Sequence, residues 1–311
     1  MKKLFLLALI ALCCTVSAKE LKVLSIGNSF SASAARTFPW VTGSVPGCRV
    51  ILTNASIGGC SLERHWKEWS QAEKDPKYKP YSFCVIDSAK LPGKIKYNRG
   101  NVNELIKNNK YDIITIQQNS ANSWKVETYQ PFADNLIAVL KKYQPQAEIV
   151  IQQTWSYRSD SNRLKAWKID NSSMYEKLEA AYAKLAKDNN FRIIPCGYAV
   201  QVFRKATPVK FQRPDMKALA KLKNTKAHGF DGEVVGMCRW RPHKETKEYY
   251  LSCDTSHLNP HGEYMQGAVW FSTLFGRPAT DIKYVPAGMT PETAKFLLEC
   301  ADNAVKNYKL K

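Results

Sequence analysis

One repeated order constrains this chain more than any other feature: a short apolar run, a polar break, then a stretch with helical spacing. The runs are 23–26, 48–53, 111–117, 148–153 and the shorter 192–195. Continuous apolar segments of this length have the composition of strands buried on both faces. The helical stretches are clearest at 131–143, 174–189, 263–275 and 291–308. Within 174–189, Leu178, Ala181, Tyr182 and Leu185 fall on one face while Lys177, Glu179, Lys184 and Lys187 point away. Strand and helix therefore alternate, which predicts an α/β fold: a three-layer α/β/α sandwich around a mainly parallel sheet. In such sheets ligands sit beyond the carboxyl ends of the strands. Two stretches break the rhythm, the Lys-, Tyr- and Pro-rich 66–101 and the polar, basic 204–250. Long irregular connections in a compact domain are usually functional, so both are expected to be insertions that wall a cleft.

The first eighteen residues read as a signal peptide: Lys2 and Lys3, an apolar run from Leu4 to Cys14, then Val16-Ser17-Ala18 in the small-x-small pattern of a cleavage site. A lipid-attachment signal at Cys13 or Cys14 is disfavoured by Leu12, where a small residue is wanted. The expected mature product begins at Lys19 and is one domain over 19–311, periplasmic or secreted. No later segment approaches the roughly 18 to 20 apolar residues of a membrane span. Loss of Lys2 and Lys3 lowers the formal charge from +19 by two, to +17. Such an excess favours anionic partners. The Lys and Arg residues are nevertheless spread widely and follow no nucleic-acid-binding motif, so nucleic acid is not an expected partner. Seven cysteines remain (Cys48, Cys60, Cys84, Cys196, Cys238, Cys253 and Cys300), an odd number that leaves at least one free unless two chains are bridged. None forms a Cys-x-x-Cys unit, which argues against structural zinc.

Four segments carry chemistry. Ser29 ends the apolar run in Ile26-Gly27-Asn28-Ser29, where a strand would present a hydroxyl ahead of a helix. The unpaired amides at a helix start suit an oxygen that becomes negative, although helix capping alone would also account for a Ser. Gly58-Gly59 follows the second run and lets backbone N–H groups approach a ligand, as would a plain tight turn. Gln117-Gln118-Asn119-Ser120 follows the third run and offers carboxamide donors. Finally, Asp254-x-x-His257-x-Asn259-x-x-Gly262 precedes a helix and places a carboxylate where it can orient an imidazole. Alcohol, base and acid are the three groups a hydroxyl nucleophile needs. His261 beside His257 invites a metal reading, but Pro260 intervenes and no third ligand is evident, so no metal or other cofactor is expected.

These four pieces, in this order, resemble the SGNH (GDSL-like) hydrolase superfamily, and within it the DUF4886 branch, whose second block is matched by Gly58-Gly59-Cys60-Ser61-Leu62-Glu63-Arg64-His65-Trp66. The resemblance implies Ser29 as nucleophile with Asp254 and His257 completing a triad. It also implies an oxyanion hole formed by the N–H groups of Ser29 and Gly59 with the Asn119 side chain. Two departures stand out: Asn28 replaces the usual Asp, and Gln117-Gln118-Asn119-Ser120 replaces Gly-x-Asn-Asp, which opens Gln118 as an alternative donor.

The function expected is that of an exported carboxylester hydrolase working through an acyl-enzyme, with O-acetylated carbohydrate favoured by the resemblance and the leader. Aromatics expected near the cleft (Trp66, Trp69, Trp124, Trp155, Tyr157 and Trp240) suit sugar faces. The alternative is a carbohydrate- or surface-binding protein on the same frame with weak or no catalysis. A phosphate-ester hydrolase fits less well, because no carboxylate cluster for metals accompanies the basic surface. No motif encodes the acyl group, the disulfide pairing or the oligomeric state.

Overall fold

The apolar runs become strands and the periodic stretches become helices in a computed structural model that describes residues 18–213, 215–221, 231–246 and 248–310. The amino-terminal half runs β1 (Lys19–Gly27), α1 (Ser29–Ala35), α2 (Phe38–Gly43), β2 (Cys48–Ser56), α3 (Leu62–Lys74), β3 (Tyr81–Asp87), β4 (Tyr97–Gly100), α4 (Val102–Asn108), β5 (Ile113–Ile116), α5 (Phe132–Tyr143) and β6 (Glu148–Gln152). It continues through α6 (Asn162–Trp167), α7 (Asn171–Asn189), β7 (Arg192–Ile194), α8 (Cys196–Ala206) and α9 (Met216–Lys221). The chain ends with β8 (Val235–Pro242), β9 (Tyr249–Leu258), α10 (Pro260–Phe275) and α11 (Pro291–Asn307). The expected leader lies outside the described residues apart from Ala18, as do Cys13 and Cys14. No described helix is long and apolar enough to cross a membrane.

Seven strands form one sheet in the order β4-β3-β2-β1-β5-β6-β7. β2, β1, β5, β6 and β7 are parallel, while β3 and β4 add an antiparallel edge. Helices α3, α4 and α5 pack together in one group, and α1, α2, α8, α10 and α11 form another, giving the expected three layers. Leu24, Leu52, Ile114 and Val150 on the central strands are fully buried. Each such side chain contributes roughly 1.5–3 kcal/mol through removal of apolar surface from water. The strand order reverses direction at β1, since β2 lies on one side of it and β5 on the other. A reversal of this kind opens a crevice at the strands' carboxyl ends.

The stretch 66–101 departs from the expectation. It holds most of α3 and both antiparallel strands, so it extends the sheet at its edge. Tyr81 and Cys84 are buried there while Val85 and Tyr97 stay exposed, a half-buried edge whose weak alternation hides it in the sequence. The stretch 204–250 contains α9 and β8, and β8 pairs antiparallel with β9 in a separate hairpin. A disulfide between Cys238 and Cys253 crosses that hairpin, and Cys48, Cys60, Cys84, Cys196 and Cys300 are free thiols.

Candidate active site

Each of the first three chemical segments begins where a parallel strand stops. Ser29 follows β1 and is exposed between buried Asn28 and Phe30. Asn28 is the N-cap of α1: its Oδ1 accepts from the Phe30 amide at 2.9 Å. That leaves the amide of Ser29, the first helical residue, without an intrahelical acceptor. Asn28 Nδ2 donates to the Cys60 carbonyl at 2.9 Å, and Gln117 Nε2 donates to Asn28 Oδ1 at 2.7 Å. One buried carboxamide therefore ties the ends of β1, β2 and β5 together. An Asp at this position could accept both bonds but could not donate to Cys60.

After β2, Gly59 turns with φ +64°, a conformation that Gly adopts without steric cost, and Ser61 then caps α3 by accepting from the Arg64 amide. Cys60 stands between them, but burial pushes its thiol up to about 12, so it is protonated and a poor nucleophile. After β5, Asn119 Oδ1 accepts from the Asn122 amide at 3.0 Å and Asn119 Nδ2 donates to the Gly59 carbonyl at 2.9 Å. This fixes the amide's orientation and leaves its second N–H for another acceptor. Gln118, the alternative donor, is engaged elsewhere. Its Oε1 accepts from the Leu62 and Asn119 amides, and its Nε2 donates to Thr128 O and Oγ1 at 3.0 and 3.2 Å.

The fourth segment occupies the end of β9 rather than a loop. Ser29 Oγ lies 2.8 Å from His257 Nε2, and His257 Nδ1 lies 2.6 Å from Asp254 Oδ2. Asp254 Oδ1 also accepts from the Ser256 amide (2.7 Å), the Ser256 hydroxyl (2.9 Å) and the His257 amide (2.9 Å). Burial alone would raise the Asp254 pKa, but the bonds from the His257 side chain and the two backbone amides outweigh it and hold the carboxyl well below its usual range. An ionised carboxylate only accepts, so Nδ1 carries the imidazole proton and Nε2 is left to accept from Ser29. Among the described residues no group of three or more His, Cys, Asp or Glu side chains is placed to join His257 and His261 around a metal ion.

The end of β9 is held from outside by residues that the sequence did not single out for this purpose. Trp155 Nε1 donates to the Ser256 carbonyl at 2.8 Å, the Arg158 amide donates to the Thr255 carbonyl at 2.9 Å, and Thr255 Oγ1 donates to Ser161 Oγ at 2.9 Å. Phe30 stacks on Trp155 at 4.4 Å between ring centroids and stands 5.2 Å from the His257 ring. The remaining motif residues serve the fold. Asn259 caps α10 by accepting from the Gly262 amide, and a Cβ on Gly262 would come within 2.4 Å of the Val234 carbonyl. Trp69, Trp155 and Tyr157 are buried and present no face to a sugar, whereas Trp240 is half-buried on the hairpin. Trp66 and Trp124 are half-buried and packed against the core, so core packing has claimed most of the aromatics expected at the cleft.

A cleft of about 490 Å³ opens over the pair Ser29 and His257, walled by Ala32, Ser33, Arg36 and Glu263 on one side and by Met237, Arg239, Arg241 and the end of β9 on another. The second irregular stretch thus lines the cleft through β8.

The family model described as a domain of unknown function (DUF4886) matches residues 22–214, more than half of the chain. Among solved structures, a DUF4886 family protein from Bacteroides uniformis is 25% identical, with a TM-score of 0.72, over 93% of this chain and 96% of that one. More distant likenesses include an acetylxylan esterase from Geobacillus stearothermophilus, a catalytic mutant, at 9% identity and a TM-score of 0.45, covering 81% of this chain and 92% of that one. Another is an acetyl xylan esterase at 14% identity and a TM-score of 0.43, covering 82% and 100%. None of the curated proteins compared matches the chain significantly. By the family model, and with a fold shared over nearly its whole length with a solved member, the chain belongs to the DUF4886 family.

Proposed function

We propose that this protein is an exported serine esterase that cleaves carboxylic esters, O-acetyl groups on carbohydrate above all, through an acyl-enzyme. The observation that carries the reading is the line Ser29 Oγ, His257 Nε2, His257 Nδ1, Asp254 Oδ2, with successive separations of 2.8 and 2.6 Å across the ring, at the mouth of the crevice. In the first half-reaction Ser29 Oγ bonds to the ester carbonyl carbon as its proton passes to His257 Nε2. The carbonyl oxygen becomes negative and is met by the amides of Ser29 and Gly59 and the free N–H of Asn119. The carbon–alkoxy bond then breaks, and the leaving oxygen takes the proton from His257. In the second half-reaction water gives its proton to His257 and bonds to the acyl carbon. The bond to Ser29 Oγ then breaks, Ser29 recovers its proton, and the carboxylic acid departs. Asp254 stays ionised throughout and stabilises the imidazolium.

A fluorophosphonate probe tests this directly. Labelling is expected at Ser29, abolished by Ser29→Ala, and accompanied by acetate release from acetylated xylan. Absence of labelling with retained carbohydrate binding would overturn the esterase and favour a binding protein on the same frame.

A further inference from the structure

The cleft has a charge asymmetry that ester hydrolysis by Ser29 does not require. Four guanidinium groups line it, from Arg36, Arg163, Arg239 and Arg241, against the carboxylates of Asp254 and Glu263. Both carboxylates have partners: Asp254 bonds His257, while Glu263 lies 3.4 Å from Arg36 and accepts from Ser33 Oγ at 3.1 Å. Among the described residues no carboxylate lies within ion-pair distance of Arg163, Arg239 or Arg241, although twelve ion pairs form outside the cleft. All three are exposed, so their charge faces whatever occupies the cleft.

These arginines also join the cleft to its neighbours. Arg163, with Cys253 and Thr255, is shared with an adjoining depression of about 310 Å³ that adds Arg213. Arg239 and Arg241 are shared with a third depression, of about 780 Å³, where they stand beside Trp240 and Tyr250. The guanidiniums therefore continue along the hairpin into both depressions, where the carboxylates are Asp160, paired with Arg158, and Glu245. A guanidinium offers forked donors to carboxylate, and an adjacent aromatic face suits a sugar ring.

We infer that the β8–β9 hairpin is an anion-recognising wall and that the alcohol part of the substrate is an acidic glycan, its carboxylates held by Arg239 and Arg241, with Tyr250 across the hairpin from Arg241. The inference rests on the esterase reading only for the ester; the anion site stands or falls by binding. Extended neutral glycans lack the carboxylates that would pair with these three guanidiniums, of which Arg163 meets the Tyr157 hydroxyl at 3.4 Å and Arg239 meets Met237 Sδ at 2.9 Å. Compact small esters would leave the flanking depressions unfilled.

The test compares two polymers and one variant. Wild-type protein is expected to release acetate from O-acetylated polygalacturonate with a higher kcat/KM than from acetylated neutral xylan. That ratio should fall roughly ten- to a hundredfold in Arg239→Gln/Arg241→Gln, given the strength of hydrogen bonds to charged groups. In the wild type alone it should also fall as salt shortens the Debye length from about 10 Å at 0.1 M. A separate arm measures binding of unesterified polygalacturonate to Ser29→Ala, which needs no catalysis. Salt-sensitive binding that is weakened by the two arginine substitutions sustains the anion wall even where no ester is cleaved, in which case only the esterase reading fails. Equal kcat/KM for the two polymers, a ratio unchanged in the variant, or no polygalacturonate binding would each overturn the anion wall. So would displacement by duplex DNA at equal charge concentration, which would mark a general polyanion surface.

Discussion

Gln117 donates through Nε2 to the same Asn28 oxygen that caps the helix beginning with Ser29, at 2.7 Å, and so couples the end of β5 to the position of Ser29. Because Asn28 also donates to the Cys60 carbonyl, its amide nitrogen is as necessary as its oxygen. Asn28→Asp is expected to destabilise the protein by about 1–3 kcal/mol, the cost of setting an acceptor against a buried carbonyl. Urea denaturation measures it; an unchanged midpoint would show that the Cys60 bond contributes nothing.

Asp254→Asn should lower kcat/KM for a neutral acetate ester by about 10⁴, because a carboxamide that donates to Nδ1 turns the imidazole to the wrong tautomer. The fold should survive, since Asp254 is 38% exposed on the cleft wall. A loss below tenfold would remove Asp254 from the machinery.

The two amides of the third block should separate by readout. Asn119→Ala is expected to reduce kcat by about 10²–10³ as an oxyanion donor is lost, with little change in KM. Gln118→Ala should instead act on stability, because it strips partners from the buried Leu62 amide and from Thr128. Equal kinetic effects from both would contradict the assignment.

Replacing Cys238 and Cys253 together by Ser should cost about 3 kcal/mol, as expected for a closed loop near fifteen residues. Hydrogen exchange should rise first in β8 and β9, because the hairpin lies outside the seven-stranded sheet. Uniform loosening of the main sheet would indicate that the hairpin is not a separate unit.

His65 predicts a pH dependence. It is fully buried, with Nδ1 2.7 Å from the Tyr81 hydroxyl, and burial, aided by Arg64, lowers its pKa to about 3. The unfolded chain takes up the proton near pH 6.5 and the folded one does not, so stability falls as pH drops from about 6.5 toward 3. The slope attributable to this group approaches about 1.4 kcal/mol per pH unit within that window. Chemical denaturation at stepped pH should show a shallower slope in His65→Phe; an identical slope would assign the acid sensitivity elsewhere.

The alternation of short apolar runs with helical periods was enough to read the parallel core, because strands buried on both faces must be apolar throughout and their crossover helices must be amphipathic on one face. Ser29, Gly59, Asn119, Asp254 and His257 could be picked out as candidates for a related reason. Hydroxyl, glycine and amide stood where the legible strands end, and carboxylate and imidazole stood three positions apart ahead of a helical stretch. Edge strands β3 and β4 and the hairpin β8–β9 were not legible, since half-exposed pairing leaves little apolar signal. The tertiary structure alone decided that Gln118 is consumed by Thr128 and Leu62, that Trp155 clamps Ser256 where a sugar platform was expected, and that three arginines without a carboxylate partner among the described residues converge on one cleft. Those outcomes depend on which hydrogen-bond partners lie within reach across the chain, and sequence order does not fix such distances.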